Sequence, residues 1–376
     1  MKGESLEYSI DDLQMLIALQ EDPLQSYSNL SGKLDKSVKT VSRWINRLEE
    51  NNLFHPVRAI LNHALLGIEV IDVVVEVKDL VHVELIERFC NDHPYTGFRC
   101  RINGSINGLY MQYLAPNGSK KHYEEIFSIL KEKKIITDVK FIQNTERMIT
   151  TTFNLEYWDN SKYEWKFDWK DWLTTINSNE LVKATKNTIT PFKKSIFEQL
   201  DIVDMCILRL LNVNAKMKLK DIQKRIFEYI QIQESIQRIS ERIKYLKQHF
   251  IHNYRLNLNA GILNIYSTLF ILVECDESFT NKIKNLLVSN PPPFPGYFKV
   301  TTEGFMWFIS MSASDFSEVS TLLWNAEIKS YRVNFVDHKS TEQYAFWEQN
   351  FNNESKTWKI SKEYMVDIPL KNLGII

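Results

Sequence analysis

Several absences narrow the field first. The chain has no CxxC pair; its four cysteines, Cys90, Cys100, Cys206 and Cys275, lie far apart. That spacing points to a reducing compartment and away from a disulfide framework or a zinc site. There is no GxGxxG or GxxxxGK[ST] phosphate loop and no GxSxG elbow, which removes the usual phosphate cradles and the hydrolase nucleophile. His63, His82, His93, His122, His249 and His338 form no HxH or HExxH spacing, so no metal is expected. No uninterrupted apolar run approaches a membrane span, and MKGESLEYSIDD has no apolar signal core. The net charge of −1 gives no whole-molecule case for nucleic acid, so any such case rests on local patches. The expectation is a cytoplasmic protein with no membrane partner and no cofactor. Its 376 residues, 44% hydrophobic, suffice for two or more domains with real cores.

One such patch lies at residues 37–52, SVKTVSRWINRLEENN. Val38, Val41, Ile45 and Leu48 recur at spacings of three and four and form one stripe of a helix. Lys39, Ser42, Arg43, Asn46 and Arg47 stand opposite, all able to donate hydrogen bonds to phosphates or base edges. Ser37 is placed to cap the first turn. Upstream, Asp12 precedes a helix with Leu13, Leu16 and Ile17 on one side. A second helix near 26–34 buries Tyr27, Leu30 and Leu34. Three short helices, the last two joined by a tight turn, fit a helix-turn-helix, and residues 53–61 read as a strand forming part of a wing.

Next comes IEVIDVVVEV, with Ile71, Val73, Val75 and Val77 on one face and Asp72 and Glu76 opposite, a half-buried strand. Helices at 79–90 and 119–133 alternate with strands at 96–102, 108–115 and VKFIQ. The order is βαββαβ, a ferredoxin-like split unit. Then the plan restarts. QLDIVDMCILRLL repeats the first helix, with Asp204 in the place of Asp12. A second helix runs from Lys220 to Ile226, followed by a turn, FEYIQIQ, longer than its first counterpart. ESIQRISERIKYLKQHF repeats the opening helix, pairing Val41 with Ile239, Ile45 with Ile243 and Leu48 with Leu246. His55 and Arg58 match His252 and Arg255. STLFILVEC repeats the first long strand, and WDNSKYEWK sits opposite FNNESKTWK, pairing Trp165 with Trp358. Such long-range self-similarity reads as a tandem duplication of one two-domain unit.

The fold class read from the sequence is therefore α+β: two tandem copies of winged helix-turn-helix followed by a ferredoxin-like βαββαβ domain. The boundaries are 1–62 and 63–176 for the first copy, 177–195 for a polar linker, and 196–259 and 260–376 for the second. Between 24 and 62, six Lys or Arg face three acids, and between 214 and 255, ten face four. That local excess suits phosphate attraction. In the second copy Gln237, Arg238, Glu241, Arg242 and Lys244 occupy the reading face. Trp158, Trp165, Trp169, Trp172, Trp347 and Trp358 interleave with acids such as Glu156, Asp159 and Asp168. Those acids repel a phosphate backbone, so packing is their expected role.

LSGKLDKSVKTVSRWINRLEENNLF in the first copy, and LKDIQKRI with RISERIKYLKQHFIHNYRLNLN in the second, resemble the Lrp/AsnC feast–famine transcription regulators. The resemblance covers about 140 residues of each half. It implies a non-enzymatic regulator of transcription that binds double-stranded DNA. It also implies ferredoxin-like domains paired sheet to sheet, with a small-molecule effector near their junction. The corresponding turns hold Gly104, Ser105 and Asn107 in the first half, and Thr302 and Glu303 in the second. Family members usually carry one unit per chain, so two units imply an internal pseudo-dimer with unlike reading heads, open to further homo-oligomerisation. A ligand-sensing or assembly protein of the same architecture is the alternative; sirohaem decarboxylases, which share the domain order, are a more distant one.

Overall fold

The computed structural model describes residues 8–174, 196–345 and 348–376. The linker expected at 177–195 and Trp347 lie outside the described residues. The first head is α1 (Ile10–Glu21), α2 (Tyr27–Leu34) and α3 (Val38–Glu50). Its centre holds Leu16, Leu30, Val41, Ile45 and Leu48, all at most 4% exposed, each such side chain contributing about 1.5–3 kcal/mol on burial. Three expected core residues are exposed, Val38 in the first turn of α3, Tyr27 at the start of α2 and Ile17 on α1, and Leu34 is half-buried.

After α3 come β1 (Arg58–Leu61), β2 (Ile68–Glu76), α4 (Leu80–Asp92), β3 (Thr96–Gly104), β4 (Gly108–Pro116), α5 (Lys120–Glu132) and β5 (Asp138–Ile142). A tail follows: β6 (Ile149–Thr151), a minimal hairpin of β7 (Trp158–Asp159) and β8 (Glu164–Trp165), and α6 (Trp169–Thr174). The second head is α7 (Ile202–Val213), α8 (Leu219–Ile230) and α9 (Ile236–His249). Here FEYI extends α8 instead of lengthening the turn. Glu228 pairs with Arg225 one turn earlier, and Gln231 ends the helix in the left-handed region at φ 56°. The order then repeats as β9 (Ile251–Arg255), β10 (Ser267–Glu274), α10 (Glu277–Ser289), β11 (Gly296–Thr301), β12 (Gly304–Met311), α11 (Ala313–Asn325) and β13 (Ser330–Gln343). A second tail holds β14 (Phe351–Asn352), β15 (Thr357–Trp358) and α12 (Ile368–Asn372).

The strand read as a wing takes its partner from the other half. β1 pairs antiparallel with β9, and Arg58 stands directly opposite Arg255, the residue it matches in the sequence alignment of the two halves. A bridge between Phe54 and Leu258 extends this ribbon, which joins the two heads.

The remaining long strands form one antiparallel sheet ordered β5-β2-β4-β3-β13-β10-β12-β11-β6. Its first four strands belong to the first half and the next four to the second; they join where β3 pairs with β13. The chain just after β5 then meets β11, through an Asn144–Thr301 bridge and the Thr145 N–H to Val300 carbonyl bond of 2.9 Å. The sheet thus rolls nearly closed. Val74, Cys100, Ile102, Tyr110, Phe270, Met306 and Val336 form the buried cluster on the inside. This overturns one expectation. Asp72 does not face water, because the sheet rolls over it and leaves it 0% exposed, whereas Glu76 at the end of the same side stays exposed as expected.

The aromatic tails cross over. Trp165 donates to the Leu263 carbonyl and Trp172 to the Asn290 carbonyl, both in the second half; Trp169 bonds Asp315. In return Trp358 donates to the Leu66 carbonyl, and the Tyr95 hydroxyl bonds the Lys359 carbonyl. Each tail packs against the other half, so the expected packing role holds for Trp158, Trp165, Trp169, Trp172 and Trp358.

Candidate nucleic-acid interface

Each head is organised by one buried carboxylate. Ser9 caps α1 in a capping box: its hydroxyl accepts from the Asp12 N–H at 3.2 Å, and Asp12 accepts from the Ser9 N–H at 2.8 Å. Asp12, 1% exposed, also accepts from the Trp44 indole and the Arg47 guanidinium on α3. Burial pushes its carboxyl up, but the bonds from Ser9 and Trp44, with the Arg47 charge, outweigh it and hold the carboxyl below its usual range. In the second head Asp201 and Asp204 form the same box. Arg242, the counterpart of Trp44, bonds Asp204 at 2.9 Å and Asp201 at 3.0 Å, with Glu234 3.6 Å away. Burial raises the Asp204 carboxyl, while hydrogen bonds and Arg242 lower that of Asp201.

These contacts divide the expected reading residues. Ser37 and Ser235 cap α3 and α9, accepting from the N–H groups of Thr40 and Arg238. On α3, Lys39, Arg43 and Asn46 are exposed and share one row of the helix. Ser42 is half-buried, and Arg47 is exposed but tied to Asp12. On α9, Gln237, Arg238, Glu241 and Lys244 are exposed, and Gln237 donates to Glu241 at 3.1 Å. Arg242 is half-buried and held by acids, so it leaves the reading set: a guanidinium that satisfies two carboxylates has no donor fork to spare for a base. The equivalent rows therefore differ in charge, two cations on α3 against one cation and one acid on α9.

The residues expected to hold an effector lie at the two seams between the halves. The Ser105 N–H donates to the Val333 carbonyl at 3.1 Å, and the Val333 N–H returns a bond to the Ser105 hydroxyl. Asn107 accepts from the Gly104 N–H, and Gly104 is at φ 144° with the β13 backbone 2.6 Å from where a Cβ would stand. At the other seam the Thr302 N–H donates to the Gln143 carbonyl, while Glu303 and Glu274 both pair with Lys140.

Sequence reasoning missed a cleft between the heads. It holds about 720 Å³ and is walled by Ile45, Asn46 and Glu49 of α3 on one side and by Asp221, Lys224, Arg225 and Glu228 of α8 on the other. Lys216 and Lys218 add charge at its edge, and Phe54, Val57 and Leu256 of the ribbon line it as well. No motif announces it, because its walls come from positions 19–57 and 214–256.

Residues 12–54 match a family model described as winged helix-turn-helix DNA-binding. The match covers the first head alone. No curated protein sequence matches the chain. Among solved structures, the siroheme decarboxylase NirDL is similar over 97% of this chain and 99% of its own, with 13% identity and a TM-score of 0.52. An AsnC family transcriptional regulator from Agrobacterium tumefaciens is similar over 40% of this chain and 99% of its own, with 22% identity and a TM-score of 0.33. The expectation of a non-enzymatic chain is overturned by the first of these, since the solved fold that spans the chain almost whole is that of an enzyme. What the chain shares with that enzyme is a fold, an α+β arrangement that begins with a winged helix-turn-helix.

Proposed function

We propose that the protein is a duplex-DNA-binding regulator built by tandem duplication, in which α3 is the principal reading helix and α9 a weaker anchor. The observation that carries this is the row of Lys39, Arg43 and Asn46, exposed on a capped helix within the DNA-binding match. Lysine and arginine attract phosphates, and arginine and asparagine also fit guanine and adenine edges. Because the heads differ, the favoured site is asymmetric, one half-site read more strictly than the other. Selection of bound duplexes from a random pool tests this. An asymmetric consensus that relaxes on one side in Arg43→Ala supports the reading; recovery of a perfect palindrome counts against unlike heads.

A second reading rests on the cleft. Lys216, Lys218, Lys224 and Arg225 along its walls suit a carboxylate-rich ligand, partly offset by Glu49, Asp221 and Glu228. A decarboxylase acting on a tetrapyrrole in that cleft is the corresponding enzyme. Titrating the protein with iron-uroporphyrin III discriminates: a shifted absorption band lost in Lys218→Glu/Arg225→Glu favours the enzyme, and an unshifted spectrum removes it.

A further inference from the structure

Inside the barrel, Asp72 of β2 accepts from the Lys299 ammonium of β11 at 2.6 and 2.8 Å, from the Tyr110 hydroxyl at 2.7 Å, from Gln112 at 3.0 Å and from Asn144 at 2.6 Å. Asp72 is 0% and Lys299 5% exposed. The ion pair spans the seam where the chain after β5 meets β11. The ladders identify what occupies the matching places at the other seam. Counted from Gly108 and Gly304, the glycines that end the β2–β4 and β10–β12 ladders, Asp72 corresponds to Phe270 and Lys299 to Cys100. Tyr110, Gln112 and Asn144 correspond to Met306, Phe308 and Val336. Cys100, Phe270, Met306 and Val336 belong to one apolar cluster, with Phe308 packed on it. One seam thus buries an ion pair, whereas the five matching positions at the other are apolar and the buried amide beside them, Asn334, is neutral, donating to the Phe270 carbonyl and accepting from the Ile106 N–H.

We infer that Asp72 and Lys299 determine which halves pair, making each half complementary to the other and not to itself. This rests on the halves being related copies. If two first halves paired, Asp72 would meet Cys100 at both seams. If two second halves paired, Lys299 would meet Phe270. Either arrangement buries a charge without a partner, which costs far more than the matched pair does. The asymmetry admits only pairs of one first half with one second half, so every closed barrel carries the two unlike heads.

The test uses the full chain with Asp72→Asn, Lys299→Met and the double variant. Two differently tagged preparations of each are mixed in denaturant, refolded at increasing concentration and passed over both tags. Each single change leaves one buried group unmatched and lowers Tm, and the double variant recovers most of that loss. The natural chain gives a low background of mixed-tag species on refolding, and the double variant gives roughly tenfold more, the factor set by ~1.4 kcal/mol of discrimination. A double variant that recovers Tm yet shows no more mixed-tag species than the natural chain overturns the pairing role. Failure of the singles to lower Tm, or of the double to recover it, overturns the complementarity itself. The Tm coupling does not depend on duplication, so the two failures are distinguishable.

Discussion

Asp12 and Asp204 do the same work with different partners. Each closes the capping box of the first helix of its head and reaches the third helix, through Trp44 and Arg47 in one case and Arg242 in the other. Asp12→Ala should therefore cost the first head about 1–2 kcal/mol, mostly as the lost reciprocal half of the capping box and an unpaired indole N–H. Arg47 adds little to that figure because it is half-exposed and screened by water. Thermal unfolding checks it, and a change below ~0.3 kcal/mol would remove Asp12 from its organising place. His93 gives a pH signature. It is 1% exposed among Phe89, Tyr113 and Tyr123, and burial pushes its imidazole down to about 3. The unfolded chain protonates near ~6.5. Acid below that value therefore favours the unfolded state, and the stability present above ~6.5 is lost as pH falls toward 3. His93→Phe should flatten the decline in Tm between about pH 6.5 and 5; an unchanged slope contradicts the assignment.

At the scale of elements, α3 and the β1–β9 ribbon carry different consequences. The stripe of Val41, Ile45 and Leu48 was legible in the sequence because a helix with one buried face writes its period into the chain. The reading row opposite was legible only as composition. Nothing in the run SERIKYL announces that Arg242 turns inward, since its acids stand at 201, 204 and 234. The partner of β1 was equally hidden, because a short strand states its own alternation and not which strand it joins. Arg58 and Arg255 face each other there, held by the Asn212 carbonyl and the Tyr297 hydroxyl. Disrupting the ribbon with Ala59→Pro, at a position 0% exposed, should uncouple the heads and appear as an early, separate unfolding step. A single unchanged transition would show that the ribbon does not couple them.

For the whole molecule, the repeated order of elements was readable from matched segments, and so was the correspondence of Trp165 with Trp358. The exchange of tails between halves and the rolling of the sheet were not, because both depend on contacts 98 or more residues apart. Asp72 shows why: a strand buried on both sides looks half-exposed when its inner face carries a charge whose partner lies far along the chain. The same distance hid the cleft, whose walls come from both heads.

The central claim is that α3 places Lys39 and Arg43 against duplex DNA, and the salt dependence of duplex binding tests it most directly. Fluorescence anisotropy should show affinity falling log-linearly with salt. Lys39→Ala/Arg43→Ala should weaken binding and flatten the slope by at least roughly 0.9, the amount for each phosphate contact removed. Absence of duplex binding at low salt, or a slope unchanged by the double variant, would contradict the account.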